Sequence, residues 1–571
     1  MSVELELLLS FLLLIVSFFF VFFFITGSSK SEKSSSTHLP KSYPLIGSSF
    51  AIKANFDRRI QWTSDILQNI PSATFVLHRP MGHRQIFTGN PTNVQHILKT
   101  NFHHYQKGSF TRHTLFDFLG NGIFNADGDT WKFQRQVASH EFSNRSLRKF
   151  VETVVNTELS QRLIPILSIA AANKTVLDLQ DILQRFAFDN ICKIAFGYDP
   201  AYLLPSLTPA QFAEAFEEST RIISARLNRP FPIIWKIKKL FRVGSEKRLQ
   251  KSMSEVRNFA MNIVKEKKEE LKQNSSLESV DLLSRFLSSG ISDETFVTDV
   301  VISFILAGRD TTSAALTWFF WLISKNQHVE TEILKEIQEK SNVAIFEEVK
   351  DMVYTHASLC ETMRLYPPVP VDTKIAVSDD VLPDGTWVKK GTRVTYHPYA
   401  MGRLETLWGL DWADFKPERW LQEGDGVKNK WSFVGRDPYT YPVFQAGPRV
   451  CLGKEMAFLQ MKRVVSEVLS RYKVVPAAEH GEEPVFISHV TSKMKGGFPV
   501  RFEERNPGKS SWPELVGVKG EVAAATVMRE NPKIGAVIVK EGMMVTMDFR
   551  CDRVRLWVDQ CGIVKQTPQI G

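Results

Sequence analysis

Apolar positions recur with helical spacing over long stretches in the middle of the chain, near 146–171, 176–196, 246–272, 293–323 and 326–340. Short runs rich in Val, Ile and Thr cluster at 72–91 and 374–396, where Pro383-Asp384-Gly385 reads as a turn. No internal repeat is present. The pattern predicts a mainly α fold with small β-sheets. The first segment differs in kind. Leu7–Ile25 is apolar except for Ser10 and Ser17, and a helix of that length spans roughly 28 Å, about one hydrocarbon core. Glu4 and Glu6 precede it; Lys30, Lys33 and Lys41 follow. A cleaved signal peptide is shorter and carries positive charge in front. The pattern therefore predicts an uncleaved N-terminal transmembrane helix within 1–28, with the remainder on the cytoplasmic side. Residues 29–47 read as a linker and proline-rich hinge, in which Pro40, Pro44 and Gly47 predict a stiff, extended lead-out.

Composition narrows the classes. Of 571 residues, 43% are hydrophobic and 23% charged, which excludes a disordered chain. Five cysteines exclude a disulfide scaffold. The net charge of +9 arises from 71 basic and 62 acidic residues that are interspersed. That balance suits a membrane surface or an acidic partner and, lacking a Lys/Arg stripe, argues against nucleic acid. After Phe502 the polar, Gly/Pro/Ser-containing stretch Glu503–Ser511 marks a boundary, giving units 48–505 and 506–571.

The segment Phe444-Gln-Ala-Gly447-Pro-Arg449-Val-Cys451-Leu-Gly453 concentrates the chemistry. Its glycines permit tight turning and close approach to a flat ligand. A helical run follows Gly453, so backbone N–H groups and the positive helix end favour a thiolate at Cys451. Arg449 suits a carboxylate on the same ligand. Ala307-Gly308-Arg309-Asp310-Thr311-Thr312 lies within a helical stretch. There Gly308 is expected to weaken the helix locally and leave room beside it, and Asp310 and Thr311 carry groups that can hold water or move protons. Trp131 and Arg135 stand i,i+4 on one helix face.

These motifs resemble the cytochrome P450 superfamily of haem-thiolate monooxygenases. Its Phe-x-x-Gly-x-Arg-x-Cys-x-Gly signature is complete here, and the likeness runs from residue 38 to about 505. The resemblance implies haem b held by Cys451, with Phe444, Gly447, Arg449 and Gly453 shaping its loop. Trp131, Arg135 and Lys374 would serve as propionate contacts. Glu361-Thr-Met-Arg364 and the Arg419 of Pro417-Glu-Arg-Trp420 look like the family's buried support network. No flavin or nicotinamide motif is present, so the resemblance implies NADPH electrons from a separate reductase at the endoplasmic reticulum membrane. Lys132, Arg145, Arg148, Lys149, Lys454, Lys462 and Arg463 are the candidate docking face.

Finer likeness, in Arg185–Gly197, Ala314–Trp321, His356–Glu361 and Tyr396–Arg403, is to the plant family ninety-four. That family hydroxylates aliphatic carboxylates at or near the terminal carbon. Val434–Pro442 resembles its jasmonoyl-isoleucine 12-hydroxylase branch most, with fatty-acid omega-hydroxylation as the alternative. A hydroperoxide-rearranging haem protein, which needs neither O₂ nor reductase, typically lacks the helix threonine; Thr311 is present.

The tail departs from this family. A helical stretch (Val518–Asn531), a strand (Gly535–Lys540), a loop (Glu541–Arg550) and a second strand (Asp552–Val558) predict a small α+β inhibitor domain resembling the potato inhibitor I family of serine-protease inhibitors. An extended, partly apolar loop fits a protease cleft if it is held rigid. The resemblance implies Met547–Asp548 as the reactive bond, and Arg553 and Arg555 can reach back to Thr546 and Asp548. The expected apolar set is Trp512, Leu515, Val527, Ile534, Val537, Val539, Val554, Leu556, Val558 and Ile563. Pairing of Cys551 with Cys561 is open, as is whether the fusion is one bifunctional chain or two merged neighbouring genes.

Overall fold

The computed structural model describes residues 39–142, 144–207, 211–273, 281–291, 293–340, 345–426, 429–477, 483–505, 511–531, 534–543, 545–546 and 553–570. The chain divides into Met1–Leu39 and Pro40–Gly571, and the expected anchor lies outside the described residues. Among the described residues no helix is long and apolar enough to cross a membrane.

In chain order the elements used below are β1 (Thr74–His78), β2 (Arg84–Thr88), β3 (Tyr105–Gln106), α1 (Gly108–Leu119), α2 (Gly128–Ser139), α3 (Leu179–Phe196), α4 (Gln211–Asn228), α5 (Ser245–Gln273), α6 (Glu294–Lys325), α7 (Gln327–Lys340), α8 (Val353–Leu365), β4 (Asp372–Ala376), β5 (Arg393–Tyr396), α9 (Lys454–Arg471), α10 (Gly520–Glu530), β6 (Gly535–Lys540) and β7 (Arg553–Val558). A mixed sheet runs β1-β2-β5-β4-β3, in which only β2 and β5 pair in parallel.

The organising element is α6. Its 32 residues follow the N-cap Asp293, whose carboxylate accepts from Thr295 N at 2.9 Å and Phe296 N at 3.3 Å. The apolar pattern predicted this span, and Asp310-Thr311 falls mid-helix rather than at a start. A helix apolar on nearly every side must be wrapped, and α3, α5, α8 and α9 pack on it. The predicted helices at 176–196, 246–272 and 326–340 are α3, α5 and α7. The stretch at 146–171 is helical but widens into π turns at Phe150–Val155 and Leu159–Leu163.

Two expectations are corrected. The hinge does not run out extended: Tyr43 N and Gly47 N each donate to the other's carbonyl, and Met81 N docks on Leu45 O at 2.7 Å. Gly47 makes this possible, because a Cβ there, at φ 58°, would lie 2.6 Å from His78 O. In the tail, Val537 is exposed rather than core. α10 covers one face of the β6–β7 pair, and Val537 points to the other. The core is instead Trp512, Leu515, Ala523, Val527, Ile534, Val554, Leu556, Val558 and Val564, all supplied by the tail itself. β6 and β7 pair in parallel, from Gly535 opposite Arg553 to Lys540 opposite Val558.

His397 shows how burial fixes a charge state. Its Nδ1 accepts from Ala400 N at 3.1 Å, capping the short helix Pro398–Met401, so Nε2 carries the proton toward Thr63 Oγ1 at 2.9 Å. Burial pulls its pKa down to about 3. Between that value and the unfolded 6.5, only the unfolded chain binds the proton, so stability falls as pH falls through this window. We expect His397→Asn to flatten the stability–pH slope by about 1.4 kcal/mol per pH unit between roughly pH 4 and 5.5. Urea unfolding across that range measures it; an unchanged slope would mean the folded imidazole is already charged.

Candidate active site

The cysteine loop begins after the 3₁₀ turn Pro442–Phe444 and ends at the N-terminus of α9, with Gly453 in the cap position. Cys451 N donates to Phe444 O at 2.8 Å. Gly447, at φ 62°, lies so close to the neighbouring backbone that a Cβ would sit 2.1 Å from Leu98 O. The Cys451 residue is accessible although its thiol lies deep in the fold, so the accessible face borders an interior space. Burial pushes the Cys451 thiol up, while the Gly453 backbone N–H, Arg135 and Lys454 pull the other way. The helix end thus favours the thiolate as expected, but burial outweighs it, and a cation in front of the sulfur is what deprotonates it fully. Phe444 packs on Phe458, ring centroids 5.2 Å apart.

Basic side chains gather beside this loop. Arg449 stacks over the Trp131 ring at 4.5 Å, and Arg135 lies at 5.8 Å from the same ring. Sequence reasoning missed the acids between them. Arg449 Nη2 donates to Asp127 Oδ1 at 2.8 Å and to Ala126 O at 2.9 Å. Lys374 and Lys107 flank Asp372, at 2.8 and 3.2 Å. Burial pulls Lys374 down to about 7, opposed by Asp372. Nothing in the hydrophobic pattern marks Asp127 or Asp372; their signal is tertiary.

Behind the loop lies a second buried network. Arg364 donates Nε to Glu361 Oε2 at 2.8 Å and Nη2 to Oε1 at 2.7 Å. Glu361 also accepts from Trp420 Nε1 and Lys416 N, each at 3.0 Å, and meets Arg419 Nε at 3.3 Å. Both Glu361 and Arg364 are fully buried. The expected Glu–Arg–Arg association is therefore present.

On α6, every residue from Val297 to Ile323 is buried except Phe304, Ala307, Gly308 and Thr311. Their i, i+3, i+4, i+7 spacing makes one stripe, so this face borders interior space. Thr311 Oγ1 donates to Ala307 O at 2.7 Å. Gly308 does not make room for a small molecule on its Cβ side. A methyl there would meet Ile191 at 2.5 Å, so the glycine lets α3 approach α6. Asp310 lies off the stripe. Its oxygens are taken by Arg309 Nη1 at 2.7 Å and Thr491 Oγ1 at 3.1 Å. Arg309 in turn meets Glu217 at 3.1 Å, and Glu217 pairs with Lys493.

The proposed docking surface shrinks. Lys462 and Arg463 are buried, Lys462 donating to Lys350 O at 2.9 Å and Arg463 to Asn156 Oδ1 at 2.9 Å. α9 packs that face inward. Lys132, Arg148, Lys149 and Lys454 are exposed, and the Arg145 side chain lies outside the described residues. In the tail, Arg555 Nη2 donates to Thr546 O at 2.7 Å and to its Oγ1 at 3.1 Å. Arg553 lies on the same strand. Met547, Asp548 and Cys551 are outside the described residues; Cys561 is exposed.

A wrapped central helix with one open stripe, facing a fold whose deep thiol is backed by a helix terminus, defines a haem-thiolate oxidoreductase. The chain belongs to the cytochrome P450 family, whose model matches residues 38–498. It is 66% identical over 477 residues to cytochrome P450 94A2 of Vicia sativa, covering 83% of this chain and 93% of that one. It is 64% identical over 468 residues to cytochrome P450 94A1 of the same plant (82% and 91%). With cytochrome P450 94B1 of Arabidopsis thaliana it shares 47% identity over 475 residues (83% and 92%). The model of the potato inhibitor I family matches residues 504–571. Cytochromes P450 of this plant group are typically membrane-bound, and the family generally works with an NADPH-dependent reductase.

The donor set fits haem. One thiol sits at a helix terminus with accessible space before it, a glycine lies where a side chain would collide with Leu98 O, and Trp131, Arg135, Arg449 and Lys374 gather cationic and N–H donors. Removing the Glu361 carboxylate leaves Arg364 buried without its counter-charge. We expect Glu361→Leu to cost about 3–5 kcal/mol, read as a lower urea midpoint with loss of haem content. A midpoint within error of the unsubstituted chain would show the network to be dispensable.

Proposed function

We propose that residues 48–505 hydroxylate an aliphatic carboxylate at or near its terminal carbon, with Cys451 as the iron ligand. The observation that carries this reading is the accessible Ala307–Thr311 stripe on an otherwise buried helix, in a chain whose relatives are cytochromes P450 of family ninety-four. Bound haem supplies the activation of O₂ and the insertion of one oxygen atom into a C–H bond, at the expense of two NADPH electrons passed on by a reductase. The chain supplies the rest. Trp131, Arg135, Arg449 and Lys374 would hold the propionates, Arg449 from its place beside Asp127. Thr311 holds a water at its hydroxyl, and Asp310 hands on protons after releasing Arg309 or Thr491. Lys132, Arg148, Lys149 and Lys454 receive the reductase.

Jasmonoyl-isoleucine 12-hydroxylation is the first reading of the substrate, by resemblance of Val434–Pro442. The packing of that stretch favours keeping fatty-acid omega-hydroxylation beside it. Tyr441 Oη donates to Cys360 O at 2.9 Å and Arg436 to Arg419 O at 2.6 Å, so these residues buttress the Glu361 network and their identity speaks to lineage. The boundary to the inhibitor unit is proposed after Arg505, because the strand Pro499–Glu504 pairs with Tyr472–Pro476 and Arg505 N donates to Arg471 O. Residues 506–571 are proposed to inhibit a chymotrypsin-like or subtilisin-like protease, with the Arg555–Thr546 tie stiffening the loop that holds Met547–Asp548.

Five measurements test this. In reduced, CO-bound protein we expect the red-shifted Soret band of thiolate ligation, lost in Cys451→Ala; its persistence there would remove Cys451 as ligand. Thr311→Ala should retain haem and substrate binding while product yield per NADPH falls about tenfold and the electrons go to peroxide, as a proton-transfer role requires; unchanged coupling would make Thr311 structural. A kcat/KM comparison of jasmonoyl-isoleucine with a free fatty acid orders the substrates, and purified 506–571 assayed against both protease classes, with mass spectrometry for cleavage after Met547, tests the tail. A transcript spanning the codons for 490–520 separates a bifunctional chain from two merged genes.

A further inference from the structure

Gln445 adopts φ 62° and ψ −177°. This is a region that glycine enters freely and a residue with a Cβ does not. The strain sits where it matters. φ of residue 445 orients the peptide joining it to Phe444, and the Phe444 carbonyl in that peptide accepts the Cys451 N–H at 2.8 Å. Relaxing Gln445 to negative φ would swing that acceptor away from Cys451.

The side chain of Gln445 is held from the sheet. Asp372 on β4 and Tyr396 on β5 are directly opposite in the strand register, hence on one face. The Tyr396 hydroxyl reaches Asp372 Oδ2 at 2.9 Å and also meets Gln445 Oε1, its single proton serving one acceptor at a time. Gln445 Nε2 closes the triangle on Asp372 Oδ2 at 3.4 Å. Asp372 is itself pinned by Lys374 Nζ at 2.8 Å, Lys107 Nζ at 3.2 Å and Thr373 N at 2.8 Å. The clamp is thus built on two paired strands and the start of α1, none of which belongs to the cysteine loop.

We propose that Tyr396 and Asp372 are positioning residues for Cys451: they grip the Gln445 side chain and so hold the cysteine loop in a conformation otherwise open only to glycine. The proposal rests on Cys451 as the iron ligand. Failure of that reading would show in the unsubstituted chain as absence of the thiolate spectrum, whereas failure of this one leaves that spectrum intact and shows only in how the variants rank against one another.

The test uses the full chain carrying Gln445→Ala, Gln445→Gly, Tyr396→Phe and the double variant Gln445→Gly/Tyr396→Phe. The readouts are the thiolate-type fraction of the reduced CO complex and the rate of haem transfer to excess apomyoglobin, neither of which needs turnover. Alanine keeps the strain and loses the grip, so haem loss should accelerate about tenfold and the thiolate fraction fall. Glycine removes strain and grip together and should return both readouts to within about twofold of the original. Tyr396→Phe should act like the alanine variant alone and add nothing in the glycine background. Should the alanine variant not accumulate, a glycine variant that accumulates normally supports the clamp. The proposal is overturned if alanine behaves as the unsubstituted chain, if glycine is no better than alanine, or if Tyr396→Phe keeps its full effect on the glycine background.

Discussion

The ion pair of Glu361 with Arg364 is the constraint on which the rest of this fold depends. Two full charges stand fully buried in the interior, a situation tolerable only when every donor and acceptor is used. They are used. Glu361 gathers Arg364, Trp420, Lys416 and Arg419, while Arg364 also reaches the carbonyls of Gly402, Trp412 and Asp414. Three separate stretches, α8 and the segments around 402 and 412–420, are thereby fixed to one point, and Tyr441 ties the next segment to α8 through Cys360 O. The cysteine loop leaves the last of these within a few residues. Its placement is inherited from a charge pair that lies outside the loop.

Much of this was legible before any coordinates. The span of α6, the strands within 72–91 and 374–396 and the tie of Arg555 to Thr546 follow from period, turn residues and spacing, and the Glu361–Arg364–Arg419 association from the family resemblance. Such features are local, or are carried by motifs whose partners the sequence itself names. The likeness to the monooxygenase and inhibitor families was legible on the same motifs and agrees with the matched ranges.

What sequence reasoning missed is tertiary. Asp127 and Asp372 lie in stretches without periodicity, yet each neutralises a basic side chain beside the cysteine loop. Lys462 and Arg463 carry charge in the sequence and nevertheless face inward, because α9 is gripped on that side by the segment ending at Lys350 and by Asn156. Gly308 was read as spare room, but the vacancy left by its missing side chain is filled by Ile191 of α3. In each case charge or size was visible and direction was not, since direction is set by whichever element packs opposite.

The parallel pairing of β6 and β7 has a mechanical consequence. The connection between them must return from Lys540 to the level of Gly535, where Arg553 begins the second strand. Six residues of strand measure roughly 20 Å, and the intervening residues 541–552 can reach about 40 Å when fully drawn out. The connection therefore has about twice the contour length its endpoints require. That surplus leaves slack in the connection, and the side-chain strut from Arg555 to Thr546 takes it up within the described part. Length and bracing are matched quantities here: shortening the loop would draw it flat against the strands, and lengthening it would outrun the strut.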